Sequence, residues 1–354
     1  MICNELYNGQ GLGNQLWCYV VARIIAKKNN YDFGIVHSEK FKGKEFLNIN
    51  FGISELKGLS PEGGPPYKLP KEIDNYYREQ KKYLKNTKID TTGTDKNLLN
   101  IHDNTKFDGN CQSTEYLKGH REDILEWIQI KSEYKKYNTD ENTCIIHIRC
   151  GDYKKIKNVF LPISYYRNAM EHIKLLNKDI KFLCVTDQAE EVKKMFPDLE
   201  ITGSSKTKIK DSNKATHHFG GPIGIDFCLM MNAKYLIIPN SSFSWWAAYL
   251  NTSKKIVIAP KYWTSYNKSN GYWSPSDIIT DEFIYMDRDG KIFKSKECII
   301  EKEKFEDKNK DLFVQEVEDK NKILKLHEFI YLLIKDKIGI IKNKIKKLVI
   351  LLIL

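Results

Sequence analysis

His147-Ile148-Arg149-Cys150-Gly151-Asp152-Tyr153 closes a short apolar run, Cys144-Ile145-Ile146. The run is too short and too β-branched for a helix, so it reads as a buried strand. A strand ending in His, Arg, Gly and Asp puts several hydrogen-bonding groups at one edge of a sheet. In open α/β sheets that is the edge where ligands bind. Arginine there suits phosphate, because its planar fork donates two parallel charge-assisted bonds. A phosphorylated ligand such as a nucleotide is the expectation. A strand followed by a Gly-Asp turn is common, however, and the segment gains its meaning from its company elsewhere in the chain.

Working outward, strands alternate with helices. Gly9-Gln10-Gly11-Leu12-Gly13-Asn14-Gln15 joins a short first strand to an apolar-periodic helix over roughly Leu16–Lys28, and Phe33–Val36 reads as the next strand. Residues 57–72, with Pro61, Gly63, Gly64, Pro65, Pro66 and Pro70, read as a loop, and 71–110 are polar and weakly patterned. A helix is expected over Glu122–Lys131, followed by a charged linker, Tyr134–Asn142. Beyond the opening segment, Pro162 begins a helix to about Leu176. Lys181–Thr186 is a strand with Asp187 at its carboxyl end, and a helix follows over 188–196. Asp226–Asn232 reads as a helix and Tyr235–Ile238 as a strand, which delivers Asn240-Ser241-Ser242-Phe243-Ser244 into a helix at Trp245–Leu250. Lys255–Pro260 is a last strand. This alternation predicts parallel sheets in an α/β fold.

At 354 residues two domains are the natural division. The net charge of +11 is uneven: residues 320–354 carry nine lysines against Glu328 and Asp336, leaving +4 for the rest. That argues against a nucleic-acid surface spread over the domains. The eight cysteines show no CxxC and no zinc spacing, and several sit in apolar patterns, as core residues of a reducing compartment do. The first residues lack a basic region followed by an apolar one, so the cytoplasm is the expected location.

Four further segments carry residue types that suggest chemistry. In Asn240–Ser244, backbone N–H groups and hydroxyls at a helix start suit phosphate, although the serines could equally cap that helix. Trp245 and Trp246 read as core. The glycines of 9–13 run G-x-G-x-G rather than G-x-G-x-x-G, so a dinucleotide site with Glu39 as ribose ligand is the weaker reading. Asp287-Arg288-Asp289-Gly290 has the letters of a metal-nucleotide D-x-D, but its flanks read as a hairpin closed by Asp-Gly. His217-His218 is a lone pair in a polar loop, and no metal site is expected.

Four segments taken together, GQGLGNQLWCYVVAR (9–23), HIRCGDY (147–153), LPISYYRNAM (161–170) and DFCLMMNAKYLIIPNSSFSWWAAYLN (226–251), resemble the bacterial α-1,2-fucosyltransferases of glycosyltransferase family 11 in order and spacing. The resemblance covers the chain to about residue 280. It implies a GT-B-like fold: two Rossmann-like domains facing a cleft, 1–138 on the acceptor side and 139–300 binding GDP-fucose. It also implies inverting transfer without a metal or other cofactor, from GDP-β-L-fucose to the 2-hydroxyl of a terminal β-galactosyl residue of a surface glycan such as O-antigen. Arg149 matches the arginine that contacts the donor diphosphate, and Ser241, Ser242 and Phe243 match the phosphate-binding turn. His147 and Asp226 match positions near the nucleoside, Asp226 as partner of guanine, and Asp187 joins this donor-binding set. Gly13 and Asn14 match a loop facing the donor. Asp152 is the candidate general base beside Arg149. Cys150 stands where the family motif has a second arginine, so either the diphosphate is held with less charge or another basic side chain compensates.

Residues 301–354 lie outside the family core. In 320–354, lysines interleave with Ile, Leu, Phe and Tyr, and the terminal apolar run is far below the ~18–20 residues that span a bilayer. Two readings stay open for this basic amphipathic helical tail: peripheral contact with the inner face of the cytoplasmic membrane, where a lipid-linked glycan acceptor would be met, or an oligomerisation or docking helix. Two other functions remain as alternatives, a nucleotide-dependent oxidoreductase and a catalytically silent nucleotide- or glycan-binding relative.

Overall fold

The computed structural model describes residues 1–7, 9–53, 73–80, 82–84, 93–156, 159–203, 223–264 and 277–315. The loop read over 57–72, His217-His218 and the tail 320–354 fall outside the described residues. Met1–Gln315 forms one compact unit of mixed α/β structure whose described residues hold two large sheets and two short strand pairs.

The first sheet contains β1 (Ile2–Glu5), β2 (Phe33–Val36), β3 (Asn75–Arg78) and β4 (Thr105–Asp108), in the order β2-β1-β4-β3, all parallel. β3 and β4 come from the stretch that reads as weakly patterned. NYYR has no buried residue, and TKFD does not alternate because charged side chains are buried in pairs: Lys106 Nζ lies 2.8 Å from Glu5 Oε2, and both residues are almost fully buried. The second sheet contains β5 (Thr143–Ile148), β6 (Lys181–Thr186), β7 (Glu200–Ile201), β8 (Tyr235–Ile237), β9 (Ile256–Pro260), β10 (Ile284–Met286) and β11 (Ile292–Lys294), in the order β7-β6-β5-β8-β9-β10-β11. Only β10 and β11 pair antiparallel, and Asp287–Gly290 is the turn of that hairpin, with Asp287 Oδ1 accepting from the backbone of Asp289 and Lys291.

The helices are α1 (Leu12–Asn29), α2 (Arg121–Trp127), α3 (Ile163–Leu176), α4 (Ala189–Met195), α5 (Ile223–Asn232), α6 (Ser242–Leu250) and α7 (Ser295–Lys308). α2 is shorter than its sequence suggests, because Gln129–Ile130 instead pairs antiparallel with Leu47–Asn48. α1 begins four residues and α6 three residues earlier than periodicity implies, so both start inside the glycine- and serine-bearing motifs. The two helices pack on each other through aromatic side chains: Trp17 lies 4.5 Å from Trp245 and 4.9 Å from Trp246, centroid to centroid, and all three are buried. All eight cysteines are free and buried. Among the described residues no helix is long and apolar enough to cross a membrane.

Candidate functional site

In the second sheet the strand order reverses at β5: β6 lies on one side of it and β8 on the other. Such a switch point leaves a crevice beyond the carboxyl ends of the two strands, where open α/β sheets bind ligands. The residues that follow are Arg149–Tyr153 after β5 and Ser241–Phe243 after β8. Arg149, Asp152 and Tyr153 of the first group, all three of the second, and His147 near the end of β5 line one cavity of about 190 Å³. β1 has the same place in the first sheet, between β2 and β4, and the loop after it contributes Gly9, Gly11, Leu12, Gly13 and Asn14 to that cavity; Lys42, beyond β2, completes the wall.

Two helix starts converge on this cavity. α1 and α6 have no side-chain bond at their N-caps, Gly11 and Ser241, and no acidic residue in the first turn. Their first N–H groups and positive dipole ends are therefore not neutralised by their own side chains. The serines do not act as caps: Ser242 Oγ donates to Asn14 Oδ1 at 2.7 Å, linking the two helix starts. Asn14 Oδ1 also accepts from Gln112 Nε2 at 2.9 Å. With its oxygen committed twice, the Asn14 amide keeps its two N–H donors for other partners. The close approach explains Gly13, since a Cβ there would sit 2.3 Å from the Ser242 carbonyl carbon and 2.5 Å from the Phe243 nitrogen.

Arg149 is held from three sides. Its Nη1 lies 2.8 Å from Asp187 Oδ2 and its Nη2 2.8 Å from Asp152 Oδ1, and its guanidinium is 5.5 Å from the Tyr153 ring centre. Asp187 Oδ1 also accepts from the Cys150 backbone N–H at 2.9 Å, which ties the turn to the end of β6. Gly151 is required by this contact, because a Cβ would lie 2.5 Å from Asp187 Oδ2. Tyr153 donates to the Asn240 carbonyl at 3.0 Å, joining the two loops of the switch point. Cys150 points into the core and brings no charge to the cavity.

His147 is buried against Phe243, ring centres 5.9 Å apart, and its Nδ1 has no hydrogen-bond partner among the described residues. Burial and then the charge of Arg149 hold its pKa down to about 3, so the ring is neutral at physiological pH.

Of the residues singled out in the sequence, Gly13, Asn14, His147, Arg149, Asp152, Ser241, Ser242 and Phe243 come together on one wall. Asp187 stands behind Arg149 rather than on the wall. Asp226 does not line the cavity either: it is buried in the first turn of α5, beside Gly203 at the end of β7. Glu39 pairs with His37 at 2.9 Å, away from the cavity. Lys42 and Gln112 carry no sequence motif and reach the site only through tertiary packing, Lys42 on the cavity wall and Gln112 on the Asn14 amide.

Comparison with known proteins places this geometry in context. Residues 65–287 match the family model "Glycosyl transferase family 11". The O-antigen biosynthesis glycosyltransferase WbnK of Escherichia coli is 29% identical over 180 residues, 45% of this chain and 55% of that protein. An alpha-1,2-colitosyltransferase of Escherichia coli is 30% identical over 181 residues, 47% of this chain and 59% of that protein. The chain thus matches little more than half the length of these relatives. Among solved structures, NodZ alpha-1,6-fucosyltransferase co-crystallized with GDP aligns with a TM-score of 0.41 at 14% identity, over 82% of this chain and 96% of that one. A glycosyl transferase family 9 protein from Veillonella parvula aligns with a TM-score of 0.42 at 14% identity, over 84% and 90%.

Proposed function

The chain belongs to glycosyl transferase family 11, and on that premise we propose that it moves L-fucose from GDP-β-L-fucose to the 2-hydroxyl of a terminal β-galactosyl residue of a surface glycan, with inversion at the anomeric carbon. The observation that carries this reading is the convergence of Arg149 and two uncapped helix starts on one cavity at a sheet switch point. Breaking the sugar–phosphate bond leaves an extra negative charge on the diphosphate. Preorganised donors aimed at that charge stabilise the transition state without reorganising. Arg149, fixed by Asp187, and the N–H groups at Ser242 and Phe243 are such donors. The positive charge that the leaving group needs is thus present in side chains and backbone, and the reading calls on no metal ion.

His147, neutral and packed edge-on against Phe243, offers its Nδ1, unpaired among the described residues, to the nucleotide. Asp226 remains the proposed partner of guanine. The acceptor hydroxyl attacks from the face opposite the diphosphate and must lose a proton, and Asp152, half exposed on the cavity wall, is the carboxylate available to take it. In this reading the two sheets correspond to an acceptor half, 1–138, and a donor half, 139–300, working in the cytoplasm. Residues 320–354 enter the proposal on their sequence alone, as a peripheral membrane contact that would bring the enzyme to a lipid-linked acceptor. The colitosyl relative favours a second donor sugar, colitose, at the same site.

Incubation with GDP-β-L-fucose and a β-galactoside in chelator, read by NMR of the product, tests the proposal. An α-1,2-fucoside is expected, and Asp152→Asn should form it about 100-fold more slowly at saturating donor. A β-linked product would exclude the inverting mechanism, and transfer that stopped with chelator would exclude metal independence.

A further inference from the structure

Lys42 lies outside every sequence motif, yet it lines the same cavity as Arg149. It follows the short turn Ser38–Lys40 after β2, and its backbone is fixed from both sides by one buried side chain. Gln15 Nε2 donates to the Lys40 carbonyl at 3.1 Å, and the Lys42 N–H donates to Gln15 Oε1 at 2.9 Å. Gln15 is the residue after Asn14 on α1. The helix that supplies Gly13 and Asn14 to the wall therefore also sets the place of Lys42, and the preceding Phe41 anchors the turn in the core.

The charge balance of the wall gives this lysine a task. Arg149 is matched by two carboxylates, Asp152 and Asp187. Cys150 is buried and uncharged in that role. Among the described residues Lys42 makes no ion pair, and burial together with the charge of Arg149 lowers its pKa. A lysine kept half-buried beside a like charge, with no carboxylate to relieve it, suits an anion that enters the cavity. A nucleoside diphosphate carries more negative charge than Arg149 alone can offset once Asp152 and Asp187 have drawn on it.

We propose that Lys42 is the second cation of the diphosphate site, its ammonium binding the phosphate that leaves with the nucleotide. The inference rests on the reading of the cavity as a GDP-sugar site and adds a residue that no motif marks.

Calorimetric titration of GDP and of GMP into wild type, Lys42→Met and Lys42→Arg tests it. A charge-assisted bond to phosphate predicts that Lys42→Met loses about tenfold to a hundredfold in GDP affinity. GMP affinity should change by less than about threefold on the same scale, Lys42→Arg should recover most of the GDP affinity, and all three proteins should melt alike. Equal GDP affinity in wild type and Lys42→Met would overturn the role of Lys42 while leaving the site reading intact. A parallel loss of GDP and GMP, or no recovery in Lys42→Arg, would reassign Lys42 to structure and overturn the proposal. A wild type that ignored GDP would overturn the site reading itself, and the inference with it.

Discussion

At the end of β5, Arg149 sits between Asp152 and Asp187, and His147 is buried two residues earlier. The arginine is preorganised by these two carboxylates, one on each terminal nitrogen of its guanidinium. His147 records the cost of the same arrangement. Its folded pKa, about 3, lies below the ~6.5 of an exposed imidazole. The unfolded chain therefore binds a proton between these values that the folded chain refuses, and stability rises with pH across that window. The contribution is fully present above about pH 6.5 and is lost as the pH falls toward 3. From pH 7 to pH 5 this one group should remove about 2 kcal/mol. Urea unfolding of wild type and His147→Asn at the two pH values checks this, with the pH-dependent loss smaller by that amount in the variant. At this scale much was legible in the sequence. Arg149, Asp152 and the serines follow apolar runs whose strand character is plain, and Asp187 is visible at the end of the next one. Lys42 and Gln112 were not, because nothing local marks a side chain that becomes functional by packing against a distant helix.

The elements meet most closely where α1 and α6 begin. Sequence periodicity starts both helices too late, and for α1 the reason is the glycine. Gly costs helix stability, so a run with Gly9, Gly11 and Gly13 reads as loop. Here Gly13 is helical, because only a residue without Cβ allows the α1 backbone to touch Ser242 and Phe243. Gly13→Ala should thus cost about 1–3 kcal/mol by forced separation of the helices, the usual range for overpacking. It should also weaken GDP binding, since the N–H groups of α6 would move with the helix. A thermal melt together with a GDP titration checks both effects. β4 lacks a strand signal for another physical reason. Lys106 and Asp108 are buried on a strand through pairing with Glu5 and hydroxyl donors, which removes the alternation that signals a half-buried strand.

At the scale of the molecule, a parallel and a mostly parallel sheet each send the loop after a central strand to one cavity, and Trp17, Trp245 and Trp246 pack beneath the helix starts that reach it. The alternation of strands and helices made this α/β class readable, and the order β7-β6-β5-β8-β9 places the switch point at the two loops with chemistry. The central claim is that this cavity holds a nucleoside diphosphate on Arg149. The direct measurement is a calorimetric titration of GDP into wild type and Arg149→Ala with chelator present. Binding by wild type, weakened at least about tenfold in the variant, is the expected result for loss of a charge-assisted phosphate contact. Equal binding by the two proteins, or none by wild type, would contradict the account.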